Sequence, residues 1–417
     1  MCGIAGLIQF KKNAKENIHR MNERMLHRGP DDGGIYISDD GKVAFGHRRL
    51  SIVDLSKNGA QPMISHSGKS VIVYNGEIYN AAEVKKILLE NAASKGSGIG
   101  TFRGTSDTEV LLEAIEHFGM KRALTLCKGM FAIAVYDIEK GTVSFARDRV
   151  GEKPLYYGTV AGAFAFASDV GCLRVIDGFD NEIDTDVLDM YFEEGYIPAP
   201  YSIYKGIKKL EPGTILTVDV ETLACENETY WSMQEAAKNG RKNKFTGSRI
   251  EAADELERLL KASIKGQMVA DVPLGAFLSA GIDSSTIVSL MQSIAPGKIR
   301  TFTIGMEDEK FNEAVIAKEI AAHLGCEHTE LYINERDAKA VIPRLSAMFG
   351  EPFADSSQIP TYLVSKMTRD HVTVSLSGDG GDELFCGYNS YTSVERVWGK
   401  AKKVPYALRK PVSASLT

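Results

Sequence analysis

The chain has 417 residues, 44% of them hydrophobic and 25% charged, with a net charge of -6. That length gives two or three domains with sizeable cores. The acidic balance excludes a basic footprint for nucleic acid, and no run of about 18 apolar residues marks a membrane span.

Cys2 begins the fold directly after Met1, so no secretory leader is expected. If Met1 is removed, Cys2 carries a thiol and a free α-amine whose ordinary pKa is about 7.7–8.0. That amine is a built-in general base, so the thiol needs no histidine to become a nucleophile. The apolar run Ile4-Ala5-Gly6-Leu7-Ile8 predicts a buried strand that fixes the terminus. The competing reading is an ordinary small residue near a frayed end. The other cysteines are Cys127, Cys172, Cys225, Cys326 and Cys386. No two form a C-x-x-C pair, which argues against a disulfide framework or zinc site and for a reduced, cytoplasmic setting.

His27-Arg28-Gly29-Pro30-Asp31 reads as a loop. Gly46 to Asp54 reads as a strand running into a loop, where Arg49 would clamp a carboxylate or simply lie on the surface. Val71-Ile72-Val73-Tyr74 is a strand ending in Asn75-Gly76-Glu77. Asn-Gly there is either a hairpin turn or a pair of N–H donors converging on an oxyanion, with Glu77 accepting from a substrate amine. Residues 94–104 are Gly/Ser-rich and read as a mobile loop. The helix after them starts near Asp107, which either caps it or binds a ligand. Residues 130–136 and 142–147 predict a hairpin, and Arg147-Asp148-Arg149 leads into a loop and another strand.

Met1-Cys2-Gly3-Ile4, the 27–31 motif, Arg49-Leu50-Ser51-Ile52-Val53-Asp54, Asn75 to Asn80 and Arg147-Asp148-Arg149 occur in that order. Together they resemble the N-terminal-nucleophile glutamine amidotransferase domain, an αββα sandwich of the α+β class. The resemblance implies Cys2 as nucleophile and Asn75 and Gly76 as oxyanion donors. It also implies that Arg49, Glu77 and Asp107 bind glutamine, helped by the backbone from Leu50 through Ser51 and Ile52 to Val53.

Residues 191–213 read as irregular, and 236–248 as a polar, basic linker. From Ile250 a helix is predicted with Ala253, Leu256, Leu259, Leu260 and Ile264 on one face. Residues 271–278 predict a buried parallel strand running into Ser279-Ala280-Gly281-Ile282-Asp283-Ser284-Ser285 and a helix. Strand, small-residue loop and helix make either an anion site or an ordinary capped turn. Asp283 beside phosphates would call for a bridging Mg2+. Residues 299–305 and 372–376 predict further strands, with a helix over 313–324. The last strand ends in Ser377-Gly378-Asp379-Gly380-Gly381-Asp382. Strands alternating with helices predict an α/β doubly wound sheet.

Leu278 to Ser285, Phe302-Thr303-Ile304-Gly305, Glu351 to Ser357 and Leu376 to Tyr388 resemble the adenylating domain of asparagine synthetases, a pyrophosphatase-loop ATP fold. The resemblance implies ATP contacts at Leu278, Ser279, Gly281, Ser284, Ser285, Ile304, Ser377 and Gly378. It implies Mg2+ and pyrophosphate at Asp283 and Asp382, and the acyl acceptor or amine at Asp379. Ala280 stands where the family usually has glycine, and is expected to weaken ATP binding by crowding or by forbidding a positive φ. Nothing here matches the family's later helices, and residues 398–417 look like a severed edge.

The expected organisation is a glutaminase domain over 2–210, a connector over 211–247 and a synthetase domain over 248–417, incomplete at its C-terminal end. The expected reaction is glutamine-dependent asparagine synthesis from aspartate and ATP, in a cytoplasmic protein with no membrane or nucleic-acid partner. The alternatives are amidation of another carboxylate, such as a sugar uronate or a peptide, and a glutaminase whose nucleotide-binding half is not catalytic. The oligomeric state is open, with a homodimer among the expectations.

Overall fold

A computed structural model describes residues 1–10, 13–94, 99–306 and 312–405. The chain divides into two compact units. One is Met1–Pro273 with Glu335–Tyr362; the other is Leu274–Asn334 with the described residues from Leu363 onward.

The strands of the first unit are, in order, β1 (Gly3–Ile8), β2 (Asp32–Ile37), β3 (Val43–Arg49), β4 (Met63–Ile64), β5 (Ser70–Ile78) and β6 (Gly129–Asp137). Then come β7 (Thr142–Arg147), β8 (Tyr156–Val160), β9 (Ala163–Ala167), β10 (Ile207–Lys209), β11 (Thr214–Asp219) and β12 (Cys225–Thr229). They form two six-stranded sheets, β10-β8-β9-β1-β3-β2 and β12-β11-β7-β6-β5-β4. All pairings in both are antiparallel.

Ile4, Ile8, Phe45 and Phe166 of the first sheet pack with Val71, Val73, Ala132 and Phe145 of the second. Outside the first sheet, Ile18 and Met21 of the helix Ala14–Arg24 cover Ala5, Leu7 and Ala165. Outside the second, Leu88 of Ala81–Ser94 and Leu111 of Asp107–Phe118 cover Ile72 and Ile133. This is the expected αββα sandwich. It explains the unbroken apolar run of β1: one face meets the opposite sheet and the other meets a helix, so no position is left for a polar residue.

Several segments differ from expectation. Residues 75–78 continue β5 in register with β6, Asn75 opposite Ala132 and Gly76 opposite Phe131, so no hairpin turn forms at Asn-Gly. Residues 211–247, expected as a connector, supply β11 and β12 and the helix Met233–Lys242. Ser232 caps that helix by accepting from Glu235 N, which orders a segment with no buried residue. The helix Arg249–Gln267 has a full capping box from Ser248 and Glu251. Of its expected apolar face only Ile264 is buried.

In the second unit β13 (Leu274–Phe277), β14 (Arg300–Met306), β15 (Glu327–Ile333) and β16 (Val374–Leu376) make a parallel sheet ordered β15-β14-β13-β16. Helices Ile282–Ile294 and Ala314–Leu324 follow β13 and β14, as a doubly wound sheet requires. The segment 351–357 lies in the first unit, where Glu351 accepts from Tyr156 Oη at 2.9 Å and pairs with Lys209. No helix among the described residues is long and apolar enough to cross a membrane. Residues 95–98 of the expected mobile loop, and 406–417 of the expected edge, lie outside the described residues.

Candidate active sites

In the first unit the end of β3 and the start of β1 bring Leu50 to Cys2. Leu50 N donates to Cys2 Sγ at 3.5 Å. The 27–31 motif is the scaffold of this terminus. Arg28 Nε donates to Cys2 O at 3.1 Å, Arg48 Nε donates to Gly29 O at 3.1 Å, and Asp31 Oδ2 accepts from Ser51 N at 2.8 Å. Burial pushes the Cys2 thiol above its ordinary pKa, against the pull of the Leu50 amide, the chain terminus and Arg49. A thiol held neutral in this way needs a base at hand.

Cys2 lines a pocket together with Arg49, Leu50, Ile52, Val53, Asn75, Gly76, Glu77 and Asp107. Asn75 is 1% exposed, and among the described residues its Nδ2 has no hydrogen-bond partner. A buried amide with no acceptor is what a site awaiting an oxyanion would contain. The ladder also leaves the Gly76 N–H unbonded to β6 at the same pocket. Opposite it, Phe131 uses its own N and O on Asp148, at 3.1 and 2.8 Å, so Gly76 and Phe131 are a non-bonded pair. Alternate residues of β5 therefore point their N–H groups to the pocket edge. Tyr74 N donates to Gln61 Oε1 at 2.7 Å and Ile78 N to Asp107 Oδ2 at 2.9 Å, with Gly76 between them. A β-carbon on Gly76 would strike Met130 O, so only glycine fits here.

Arg49 donates three N–H bonds to the carbonyls of Val53, Asp54 and Ser56. Two of its five donors remain for a carboxylate, and the three bonds also fix the loop that carries Ile52 and Val53. Burial, joined by the charge of Asp107, raises Glu77 to about 7, against the pull of Lys153 and the chain terminus. Burial also raises Asp107, against bonds from Ile78 N and Tyr74. Asp107 is not the helix cap. Ser106 is, accepting from Thr108 N, and this leaves Asp107 to face β5. Of the residues expected around glutamine, Ser51 does not line the pocket; its amide is held by Asp31.

In the second unit the loop after β13 is braced by its own serines. Ser279 N donates to Ser284 Oγ at 3.1 Å, the two hydroxyls are 2.8 Å apart, and Ser285 Oγ donates to Gly281 O at 2.7 Å. Gly281 starts the helix with no side-chain cap of its own; Ser279 Oγ accepts the Gly281 N–H at 3.1 Å, and Asp283 does not cap the helix's positive end. The loop after β16 lies directly on this end. A β-carbon on Gly378 would come 2.7 Å from Ser284 N, and one on Gly381 would come 2.6 Å from Asp283 Oδ2. Ser377 Oγ donates to Asp379 Oδ2 at 3.0 Å. Leu278 N donates to Phe302 O at 2.9 Å, which joins the loop to the strand carrying Ile304.

The fit to magnesium rests on Asp283, whose carboxylate sits against the main chain just before Asp382. Among the described residues no cluster of three or more His, Cys, Asp or Glu is spaced to hold a metal. Magnesium does not require one, because one or two carboxylates with phosphate oxygens and waters suffice. Ala280 is not among the residues with positive φ, so that objection to alanine does not apply. Its N–H donates to Glu313 Oε2 at 3.3 Å.

Residues 1–231 match the glutamine amidotransferase domain family and residues 255–417 the asparagine synthase family. A putative glutamine-hydrolysing asparagine synthetase of Methanocaldococcus jannaschii is 39% identical, over 98% of this chain and 79% of its own length. Asparagine synthetase 1 of Bacillus subtilis is 37% identical over 94% of this chain. A putative asparagine synthetase of Mycobacterium bovis is 35% identical over 94% of this chain. The chain belongs to the glutamine-hydrolysing asparagine synthetase family. It spans 59% and 61% of the Bacillus and Mycobacterium proteins. Within this asparagine synthetase-family chain, the pocket residues that sequence reasoning missed include Gln61, Tyr74 and Lys153. Gln61 and Tyr74 act through one bond each to β5 and Asp107, which no local pattern announces. Lys153 sits two residues before the strand-like Leu155-Tyr156-Tyr157 and read as part of a loop.

Proposed function

We propose that this chain makes asparagine by moving the amide nitrogen of glutamine onto the β-carboxyl of aspartate, with ATP converted to AMP and pyrophosphate. The observation that carries the reading is the unpartnered Asn75 amide beside Cys2, in one pocket with Arg49, Glu77 and Asp107. After Met1 is removed, the α-amine of Cys2 takes the thiol proton and Sγ attacks the glutamine carboxamide carbon. Asn75 Nδ2–H and Gly76 N–H hold the negative oxygen. The α-ammonium returns its proton to the leaving nitrogen, ammonia departs, and water hydrolyses the thioester to glutamate. Arg49 holds the substrate carboxylate, and Glu77 and Asp107 its ammonium.

In the second unit a β-carboxylate oxygen of aspartate attacks the α-phosphorus of ATP and pyrophosphate leaves. Ammonia then attacks the acyl carbon and AMP leaves. The helix end at Gly281 to Ser284, and Gly378 against it, form the seat for the phosphates. Asp283 and Asp382 would hold Mg2+, which supplies charge neutralisation for the pyrophosphate. Ala280, by its extra methyl, would crowd the same seat. Keeping ammonia from water preserves it as a nucleophile, because in water it becomes ammonium.

The test is ATP/pyrophosphate exchange against a panel of carboxylic acids. Exchange stimulated by aspartate above uronates and peptide carboxylates supports the reading. Exchange that follows another acid, or none, overturns it.

A further inference from the structure

Lys153 lines the pocket with Met1, Cys2 and Glu77, and the residue is 6% exposed. A buried ammonium needs acceptors. Among the described residues its Nζ makes a single hydrogen bond, 3.3 Å long, to the Met1 thioether Sδ, and it has no ion-pair partner. Thioether sulfur is a weak acceptor, and Met1 is the residue that processing would cut away.

The main chain nevertheless holds Lys153 firmly. The fully buried Asp148 accepts from Lys153 N at 2.9 Å, Glu152 N at 2.9 Å and Gly151 N at 2.6 Å. Arg147 donates to Lys153 O at 2.7 Å and to Gly151 O at 2.6 Å. Two charged side chains thus fix a loop whose effect is to aim a third charge at the chain terminus. Packing alone would be served better by an apolar residue at 153.

We propose that Lys153 is a positioning residue of the amidotransferase site: with Met1 gone, its ammonium faces the α-amine of Cys2 and keeps that amine unprotonated, ready to accept the thiol proton. The proposal rests on Cys2 being the nucleophile. Two ammonium groups close together disfavour double charge, and the group with the lower intrinsic pKa gives up its proton first. That group is the α-amine, since lysine lies more than two units higher. Arg28, from the loop after the first helix, and Arg49, at the end of β3, add positive charge from other sides. Glu77 on β5, Asp107 on the helix Asp107–Phe118, and Asp148 and Glu152 on the lysine's own loop oppose it. Burial lowers the pKa of Lys153, and Glu77 and Glu152 partly restore it.

The experiment uses the full chain, with Met1 removal verified by mass spectrometry, and the variants Lys153→Met and Lys153→Arg. Two quantities are followed against pH: kcat for glutamine hydrolysis, and the rate at which an amine-directed acylating reagent labels the α-amine. In the unsubstituted protein the labelling midpoint should lie below the ordinary range of about 7.7–8.0. In Lys153→Met the labelling midpoint and the acid limb of kcat should both rise by about half a pH unit or more, and Lys153→Arg should restore them. An unsubstituted midpoint at or above that range overturns the proposal even if Lys153→Met does not fold. Unchanged midpoints in a folded Lys153→Met overturn it, as does a change confined to the KM for glutamine, which would assign Lys153 to Glu77 instead. Hydrolysis surviving in Cys2→Ala would instead remove the nucleophile reading, while the labelling midpoints would still report on Lys153.

Discussion

Tyr74 Oη donates to Asp107 Oδ2 at 2.7 Å, and the same oxygen accepts from Ile78 N at 2.9 Å. One carboxylate oxygen of Asp107 is thereby tied to β5, and the other is left for the pocket. Tyr74→Phe removes a bond to a charged acceptor, worth about 1.5 kcal/mol. The KM for glutamine should rise roughly tenfold with kcat little changed, as steady-state glutaminase assays would show. An unchanged KM would mean that Asp107 does not meet the substrate.

Among the described residues the buried Asn75 amide has no partner, so its bond to the substrate oxygen strengthens as negative charge develops there. Asn75→Ala should lower kcat for glutamine hydrolysis by about 100- to 1,000-fold while leaving KM within a factor of about three. Equal losses in binding and turnover would point to a structural role.

Glu77 must be ionised to hold the ammonium of glutamine, and burial raises its pKa to about 7. A raised carboxylate pKa favours the protonated form as pH falls, so binding should weaken on the acid side. KM should climb about tenfold for each unit below pH 7 and level off above it. In Glu77→Gln the KM should be high and flat across the same range. A KM independent of pH between 5.5 and 7 in the unsubstituted protein would contradict the assignment.

Gly378 lies where a β-carbon would come 2.7 Å from Ser284 N. Gly378→Ala should push the second loop off the helix end and lower ATP/pyrophosphate exchange at least about tenfold, in line with an overpacking cost of about 1–3 kcal/mol. Glutamine hydrolysis by the same variant should stay within a factor of about two. Normal exchange would show that this contact does not shape the phosphate seat.

Much of this was legible in the sequence because it is local. The apolar run of β1, the hairpin of β6 and β7, and the strand-loop-helix after β13 each follow from side-chain periodicity and small residues at a turn. Asn75-Gly76 was not legible locally, because the same dipeptide makes hairpin turns. What keeps it extended is Asp148, seventy-three residues from Asn75, which holds Phe131 across the ladder. Residues 211–247 misread only in part for a related reason: β12 and the helix Met233–Lys242 are exposed and carry little apolar signal, whereas β11, with Ile215, Leu216 and Val218 buried, carries one that the Pro-Gly breaker before it obscured. Asp107 looked like a cap only because Ser106, one residue earlier, does the capping. Lys153 left no mark at all, since burial of a single lysine is decided by the loop that Arg147 and Asp148 build.

The most direct test of the central claim compares Cys2→Ala with the unsubstituted chain, using aspartate, ATP and either amide-15N glutamine or ammonium chloride, with asparagine read by mass spectrometry. The account predicts 15N-labelled asparagine from glutamine only when Cys2 is present, and asparagine from ammonium in both proteins. Labelled asparagine made from glutamine by Cys2→Ala would contradict it.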